Sequence, residues 1–290
     1  KGGKMTNRKP FKDLLFSDAF MFAAVMEDPE ICRGVLERIL GFPIQRVYVR
    51  SEAALFVNPD YRGVRLDVLA DDADGSIFNV EMQVTDQHNL PKRSRAYQSR
   101  MDLSLLKPGE NFNRLPVSYV IFICTFDPFT GNYWRYTFDT RCRETGEELG
   151  DQAYKIFLNT KGTNTQAEPP ELVHFLQYIE NAAVSLQSQD RLIRQIERKL
   201  NDVKHDNAME VQYMLFSEML SQERMEGLQE GHKAGLQEGH KAGLQAGCQG
   251  TLNLIHAMSQ NGDGDKVSLL AEDPALLKEM CLKYHMDLSD

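Results

Sequence analysis

RLDVLADDADGSIFNVEMQ, residues 65–83, decides how this chain is read. Two runs with alternating apolar residues flank a Gly-containing turn, the pattern of a β-hairpin. On the first run Val64, Leu66, Val68 and Ala70 take one face and Arg65, Asp67 and Leu69 the other. On the second, Phe78, Val80, Met82 and Val84 oppose Ile77, Asn79, Glu81 and Gln83. Each strand thus has one wholly apolar face for a core and a second face that carries Asp67, Glu81 and Gln83.

Turn length decides whether the two acids meet. Directly opposed residues of an antiparallel pair point to the same side, so their position numbers share one constant sum along the hairpin. A two-residue Asp74-Gly75 turn gives an odd sum and separates the acids. A three-residue loop, Ala73 to Gly75 with a left-handed Gly75, sets 67 opposite 81 with Cβ atoms about 5 Å apart. Two carboxylates at that range repel, and one is pushed toward its neutral form unless a cation lies between them. Hard oxygen ligands in this arrangement suit Mg²⁺ or Mn²⁺. The alternative from spacing alone is a solvated strand face.

Outward from the hairpin, residues 12–40 predict helix broken once. Ser17 or Asp18 caps FMFAAVM, and Asp28-Pro29 starts a second helix that Gly41-Phe42-Pro43 stops. Arg46 to Val57 reads as a strand that completes an antiparallel meander, followed by a turn at Asn58-Pro59-Asp60. Residues 91–107 predict a helix of about four turns. SYVIFICTF, 118–126, has the continuous apolar character of a strand buried on both faces. YWRYTF and YKIFL give further strands, and 171–184 an amphipathic helix.

The length of 290 residues, with 42% hydrophobic and 26% charged, allows a substantial core. Five cysteines, none in C-x-x-C spacing, read as reduced thiols in a cytoplasm. No apolar run is long enough for a membrane span, and no secretory signal is visible. The net charge of −9 is uneven: residues 1–165 hold 22 Lys and Arg against 22 Asp and Glu, and the remainder 11 against 20. Within the neutral part PKRSRAYQSR forms a modest basic cluster. Arg93, Tyr97 and Arg100 in it share one helical face.

Beyond residue 188 the chain turns to charged, Leu-spaced helix and then to the repeat GLQEGHKA, GLQEGHKA, GLQAGCQG. Six glycines fall at every fourth position from Gly227 to Gly247. At about 1 kcal/mol each relative to Ala they oppose an isolated helix, so the segment must flex or pack closely. The eight-residue step makes Leu228, Leu236 and Leu244 spiral, which excludes a straight heptad seam. His232 and His240 are read as spacer residues.

Three stretches together resemble the PD-(D/E)XK nuclease-family transposases, the recombination-promoting nuclease group. They are GVRLDVLADDADGSIFNVEMQ, then LPKRSRAYQSRMDLSLLKPGENFNRLPVSYVIFICTFDPF, then IFLNTKG, with the Gly-Glu repeats behind them. The resemblance implies an α/β fold: a restriction-endonuclease-like core, with a mixed central sheet flanked by helices, over residues 10–165. A helical C-terminal extension (166–225), the Gly-rich repeat as a hinge (226–250) and short terminal helices (251–290) follow.

It implies a Mg²⁺-dependent (or Mn²⁺-dependent) DNA endonuclease associated with recombination. Asp67 is then the motif aspartate, Glu81 the second acid, and Gln83 stands where a lysine is usual; Pro59-Asp60 is a decoy. The metal ligands would be Asp67, Glu81 and the backbone carbonyl of Met82, with Asp18 as a further candidate beside its reading as a helix cap. Arg93, Arg95, Tyr97 and Arg100 would contact DNA phosphates. A homo-oligomer, a dimer through the C-terminal helical region, is expected. The rival expectation is a nuclease-fold module without turnover, acting in DNA or protein binding and assembly.

Overall fold

The computed structural model describes residues 9–50, 68–106, 108–164, 168–183 and 189–286. The proposed metal ligand Asp67 and the turn at Pro59-Asp60 lie outside these. Two compact units divide the chain, Lys1–Leu220 and Ser221–Asp290.

In the first unit, after a 3-10 turn at Phe11–Asp13, come α1 (Ala19–Met26) and α2 (Pro29–Leu40). The Asp28 carboxylate caps α2 by accepting from the amides of Glu30 and Ile31, with Pro29 in its first turn. Gly41 ends it at φ +80°, a conformation glycine adopts without a Cβ penalty. The strands are β1 (Val47–Arg50), β2 (Val68–Asp72), β3 (Ile77–Gln83), β4 (Ser118–Cys124), β5 (Arg135–Phe138) and β6 (Ala153–Asn159). They form one sheet in the order β1-β2-β3-β4-β6-β5. The first three make the expected antiparallel meander; β3, β4 and β6 run parallel, and β5 returns antiparallel to β6.

The hairpin has the three-residue loop. The amide of Asp72 donates to the carbonyl of Ser76 at 3.0 Å, and Gly75 takes φ +90°. The Asp72 carboxylate accepts from the amides of Asp74 (3.0 Å) and Ser76 (2.8 Å), which stiffens the turn. Pairing then runs Asp71 with Ile77, Ala70 with Phe78, Leu69 with Asn79 and Val68 with Val80.

Two layers of helix cover the sheet. On one side Val68, Ala70, Phe78, Val80 and Met82, with Ile121, Ile123, Ile156 and Leu158, join a core with α1, α2, α4 (Pro170–Glu180) and α5 (Arg191–His205). On the other side α3 (Leu90–Leu105) packs Leu90 and Met101 over Ile77, Val120, Phe122, Cys124 and Phe157. The central β4 is buried on both faces, as its composition predicts. α4 and α5, expected as an extension, contribute Phe175, Leu176, Ile193 and Ile196 to the main core. Arg38 on α2 ties them in: it donates to Asp190 at 2.6 and 3.2 Å and to the carbonyl of Glu171 at 2.8 Å.

α6 (Asn207–Gln260) begins in the first unit, where Tyr213 and Phe216 pack with Phe11 and Phe20. In the second unit the glycine repeat is helical, and a Cβ built on any glycine from Gly227 to Gly247 would meet nothing within 4 Å. The end of α6 places Leu254 and Met258 against Leu270 and against Met280 of α7 (Pro274–Lys283). Among the described residues no helix is long and apolar enough to cross a membrane.

Candidate active site

The polar face of the hairpin is a roofed face. The alternation that sends Phe78, Val80 and Met82 into the main core turns Asn79, Glu81 and Gln83 toward α3. Asn79 is 1% exposed, and the Glu81 side chain keeps 13% of its surface. A solvated strand face is therefore the wrong description of this surface. The sequence left both possibilities open because nothing in β3 itself reveals what lies above it.

The strand leaves β3 at Gln83 and turns through residues 84–89, where His88 takes φ +53° and its amide donates to Asp86 at 2.7 Å. α3 starts at Leu90 with Pro91 in its first turn. One turn in, Arg93 reaches back to the strand it has just left. Its Nη2 donates to Glu81 Oε1 and, at 3.0 Å, to the Tyr97 hydroxyl; its Nη1 donates to Gln83 Oε1 at 2.9 Å. The Gln83 amide closes the ring, with Nε2 donating to Glu81 Oε1 at 2.6 Å and to the Met82 carbonyl at 3.1 Å.

Aromatic rings hold the guanidinium from the sides. Its carbon lies 5.5 Å from the ring centre of Tyr97 and 5.6 Å from that of Phe122, both within cation–π range. Tyr97 stacks on Phe122 at 5.8 Å, and Phe122 on Phe157 at 5.4 Å, which gives the site a rigid apolar wall. Phe122 is the β4 partner of Glu81 in the parallel ladder, so its place beside the site follows from register.

The electrostatics follow from this packing. Burial works against the Arg93 charge, but the Tyr97 hydroxyl and the field of Glu81 together outweigh it and hold the guanidinium above the ordinary arginine value. Burial and then the Glu81 charge push the Tyr97 hydroxyl up to about 12, so it stays neutral at physiological pH. Cys124 is pushed up to about 12 as well, chiefly by burial and then by Asp86 and Glu81, which keeps it an inert thiol.

Of the expected residues, the structure brings together Glu81, the Met82 carbonyl, Gln83, Arg93 and Tyr97. Arg100 joins them at one remove, its guanidinium 5.9 Å from the Tyr97 ring centre. Arg95 is exposed on α3. Asp18 stands at the N-cap position of α1, but its side chain makes no capping bond; it accepts from Lys9 Nζ and from the Leu15 amide, both at 2.6 Å. The helix-cap reading is corrected accordingly: the carboxylate folds back onto the preceding turn. The bond from Arg93 to Glu81 was missed in the sequence, and the available signal was the arginine one turn into the next helix.

As a metal site the described residues offer hard oxygens in kind, the Glu81 carboxylate and the Met82 carbonyl. Among the described residues no group of three or more His, Cys, Asp or Glu could hold an ion. A cleft of about 780 Å³ between α2 and the starts of α4 and α5, bordered by Arg38 and Asp190, contains none of these residues. It is apart from the chemistry, and the hydrogen-bonded cluster on β3 and α3 is the better candidate.

No curated protein and no solved structure matches the chain. The family model described as PD-(D/E)XK nuclease family transposase matches residues 10–226, from the 3-10 turn before α1 into α6, and so takes in β3, α3 and every strand of the sheet. On that match, the chain belongs to the PD-(D/E)XK nuclease family of transposases.

Proposed function

We propose that this protein is a Mg²⁺- or Mn²⁺-dependent DNA endonuclease acting in recombination or element mobility, in the cytoplasm and as a homo-oligomer. The observation that carries the reading is the pairing of Val68 with Val80. The loop that this pairing requires, three residues long, is the length that hairpin arithmetic on the sequence demands if acids at positions 67 and 81 are to share a face. Asp67, Glu81 and the Met82 carbonyl would hold the ion, with Asp18, whose carboxylate pairs with Lys9, as a further candidate.

A bound divalent ion supplies Lewis-acid polarisation of a phosphate and lowers the pKa of a water. The water oxygen bonds to phosphorus, the ester P–O bond breaks, and a proton from the water ends on the departing oxygen. Glu81 and Asp67 supply the negative charge that anchors the ion. Gln83, a neutral amide, orients by hydrogen bonding and cannot neutralise phosphate charge. Arg95 and Arg100 on α3 bring positive charge toward the DNA backbone.

Incubation with supercoiled plasmid and Mg²⁺ tests this. The parent nicks, and Asp67→Ala and Glu81→Gln do not while remaining folded; equal nicking by parent and variants would sink the reading. A second reading, a binding and assembly module without turnover, draws on the engagement of Glu81 by Arg93 and Gln83. Absence of Glu81-dependent Mn²⁺ binding in calorimetry would favour it.

A further inference from the structure

We propose that Arg93 is the cation of the cleavage site, doing from α3 what a lysine at position 83 would do from β3, and that Tyr97 positions it. This rests on the nuclease reading above. The motif place beside Glu81 holds Gln83, which carries no charge. Yet the structure does bring a positive charge to that place: the guanidinium bonds to Gln83 Oε1 at 2.9 Å and also to Glu81. Gln83 thus serves as a handle for the cation that replaces a lysine.

The placement differs from that of an arginine serving only as a DNA anchor. The Arg93 side chain retains 24% of its surface and lies against the stacked Tyr97 and Phe122 rings, whereas Arg95 on the same helix is exposed. Sequestering an arginine costs desolvation energy that general phosphate attraction does not require. The same wall pre-organises it: Tyr97 accepts from Nη2 at 3.0 Å and is itself stacked on Phe122. A planar guanidinium, unlike a lysine, can bind a carboxylate and a phosphate oxygen through separate N–H groups. It therefore balances Glu81 before an ion arrives and faces the non-bridging phosphate oxygens afterwards. Because its charge sits against the carboxylate that would hold an ion, it would also lower the affinity of the site for that ion.

Three variants, Arg93→Met, Arg93→Met with Gln83→Lys, and Tyr97→Phe, test this with the full chain. Each is followed by single-turnover nicking in Mg²⁺, by DNA affinity in Ca²⁺ over a salt series, and by Mn²⁺ calorimetry. Arg93→Met is expected to slow nicking about 100-fold, the scale for losing one transition-state charge donor. Its DNA affinity should fall far less than the rate, with a salt slope lower by no more than about one, the share of a single phosphate contact. Lysine at position 83 should recover at least about tenfold of the lost rate, and Tyr97→Phe should lower the rate without changing DNA affinity.

Nicking by Arg93→Met within about threefold of the parent would overturn the proposal. So would a loss confined to DNA affinity, or a folded double variant no faster than the single one. Should Arg93→Met fail to fold, a double variant that folds and nicks, together with a slowed Tyr97→Phe, supports the proposal, and a Tyr97→Phe rate equal to the parent's overturns it. The calorimetry separates this inference from the nuclease reading. If the parent binds Mn²⁺ through Glu81 but never nicks, the nuclease reading falls. Arg93→Met must still bind Mn²⁺ several-fold more tightly than the parent, and unchanged affinity overturns the role of Arg93.

Discussion

Val68 on β2 stands directly opposite Val80 on β3, and that pairing fixes the face on which every side chain of the hairpin lies. It depends on a loop of three residues ending in Gly75 at φ +90°. A slip of one residue would turn Glu81 and Gln83 away from α3 and into the main core.

Gly75→Val should destabilise the first unit by about 1–2 kcal/mol, the cost of a side chain in a left-handed conformation. Open space surrounds the site of the added Cβ, so backbone strain is the expected cause. Urea unfolding would show a lower midpoint with an unchanged slope; a midpoint equal to the parent's would refute the strain argument.

Glu81→Gln removes the charge that Arg93 faces while leaving the guanidinium in its half-buried place. A loss of about 2 kcal/mol is expected, the scale of a hydrogen bond to a charged group. Thermal unfolding of the metal-free protein measures it, and a variant as stable as the parent would show that the pair contributes nothing net.

Arg38→Met should destabilise by about 2 kcal/mol at neutral pH, since its bonds join α2 to the first turn of α4 and to the N-cap of α5. Burial favours the neutral form of Asp190, but Arg38 and the amides of Ile193 and Leu192 outweigh it, so the carboxyl is held below its ordinary value. A carboxyl lowered in the folded state adds stability above its unfolded pKa of about 3.9 and loses it as pH falls through the folded value. The deficit of Arg38→Met should therefore be full near neutrality and shrink in acid below that range. A deficit that grew on acidification would contradict the assignment.

Gly231→Ala with Gly239→Ala should raise helix stability by about 1 kcal/mol per site. Neither added methyl would meet an atom within 4 Å in this chain. Circular dichroism on the full chain should show a higher-melting helical signal; a lower one would mean that the glycines are packed against another molecule.

Much of the fold was legible because its causes are local. Asp28-Pro29 and Gly41 set the limits of α2 through capping and backbone conformation, and the apolar run 118–126 announced a strand covered on both sides. The three-residue loop followed as a requirement from register arithmetic if the two acids were to share a face. α4 and α5 were recognised as helices, but their share in the main core was not, because an amphipathic pattern shows that a helix has a buried face without naming what covers it. Asp18 illustrates the converse: its position fits a cap, but a nearby lysine and the Leu15 amide compete for the same carboxylate.

Sequence alone determined the alternation that brings Glu81 and Gln83 to one face of β3, since side-chain period in a strand is a property of the backbone. Tertiary structure alone decided that this face lies under α3, and that Arg93, twelve positions beyond Glu81, turns its guanidinium inward against Tyr97 and Phe122. Periodicity along a chain specifies direction relative to one element. Which charge meets which depends on how two elements pack, and that is set by the hydrophobic contacts of α3 with β4.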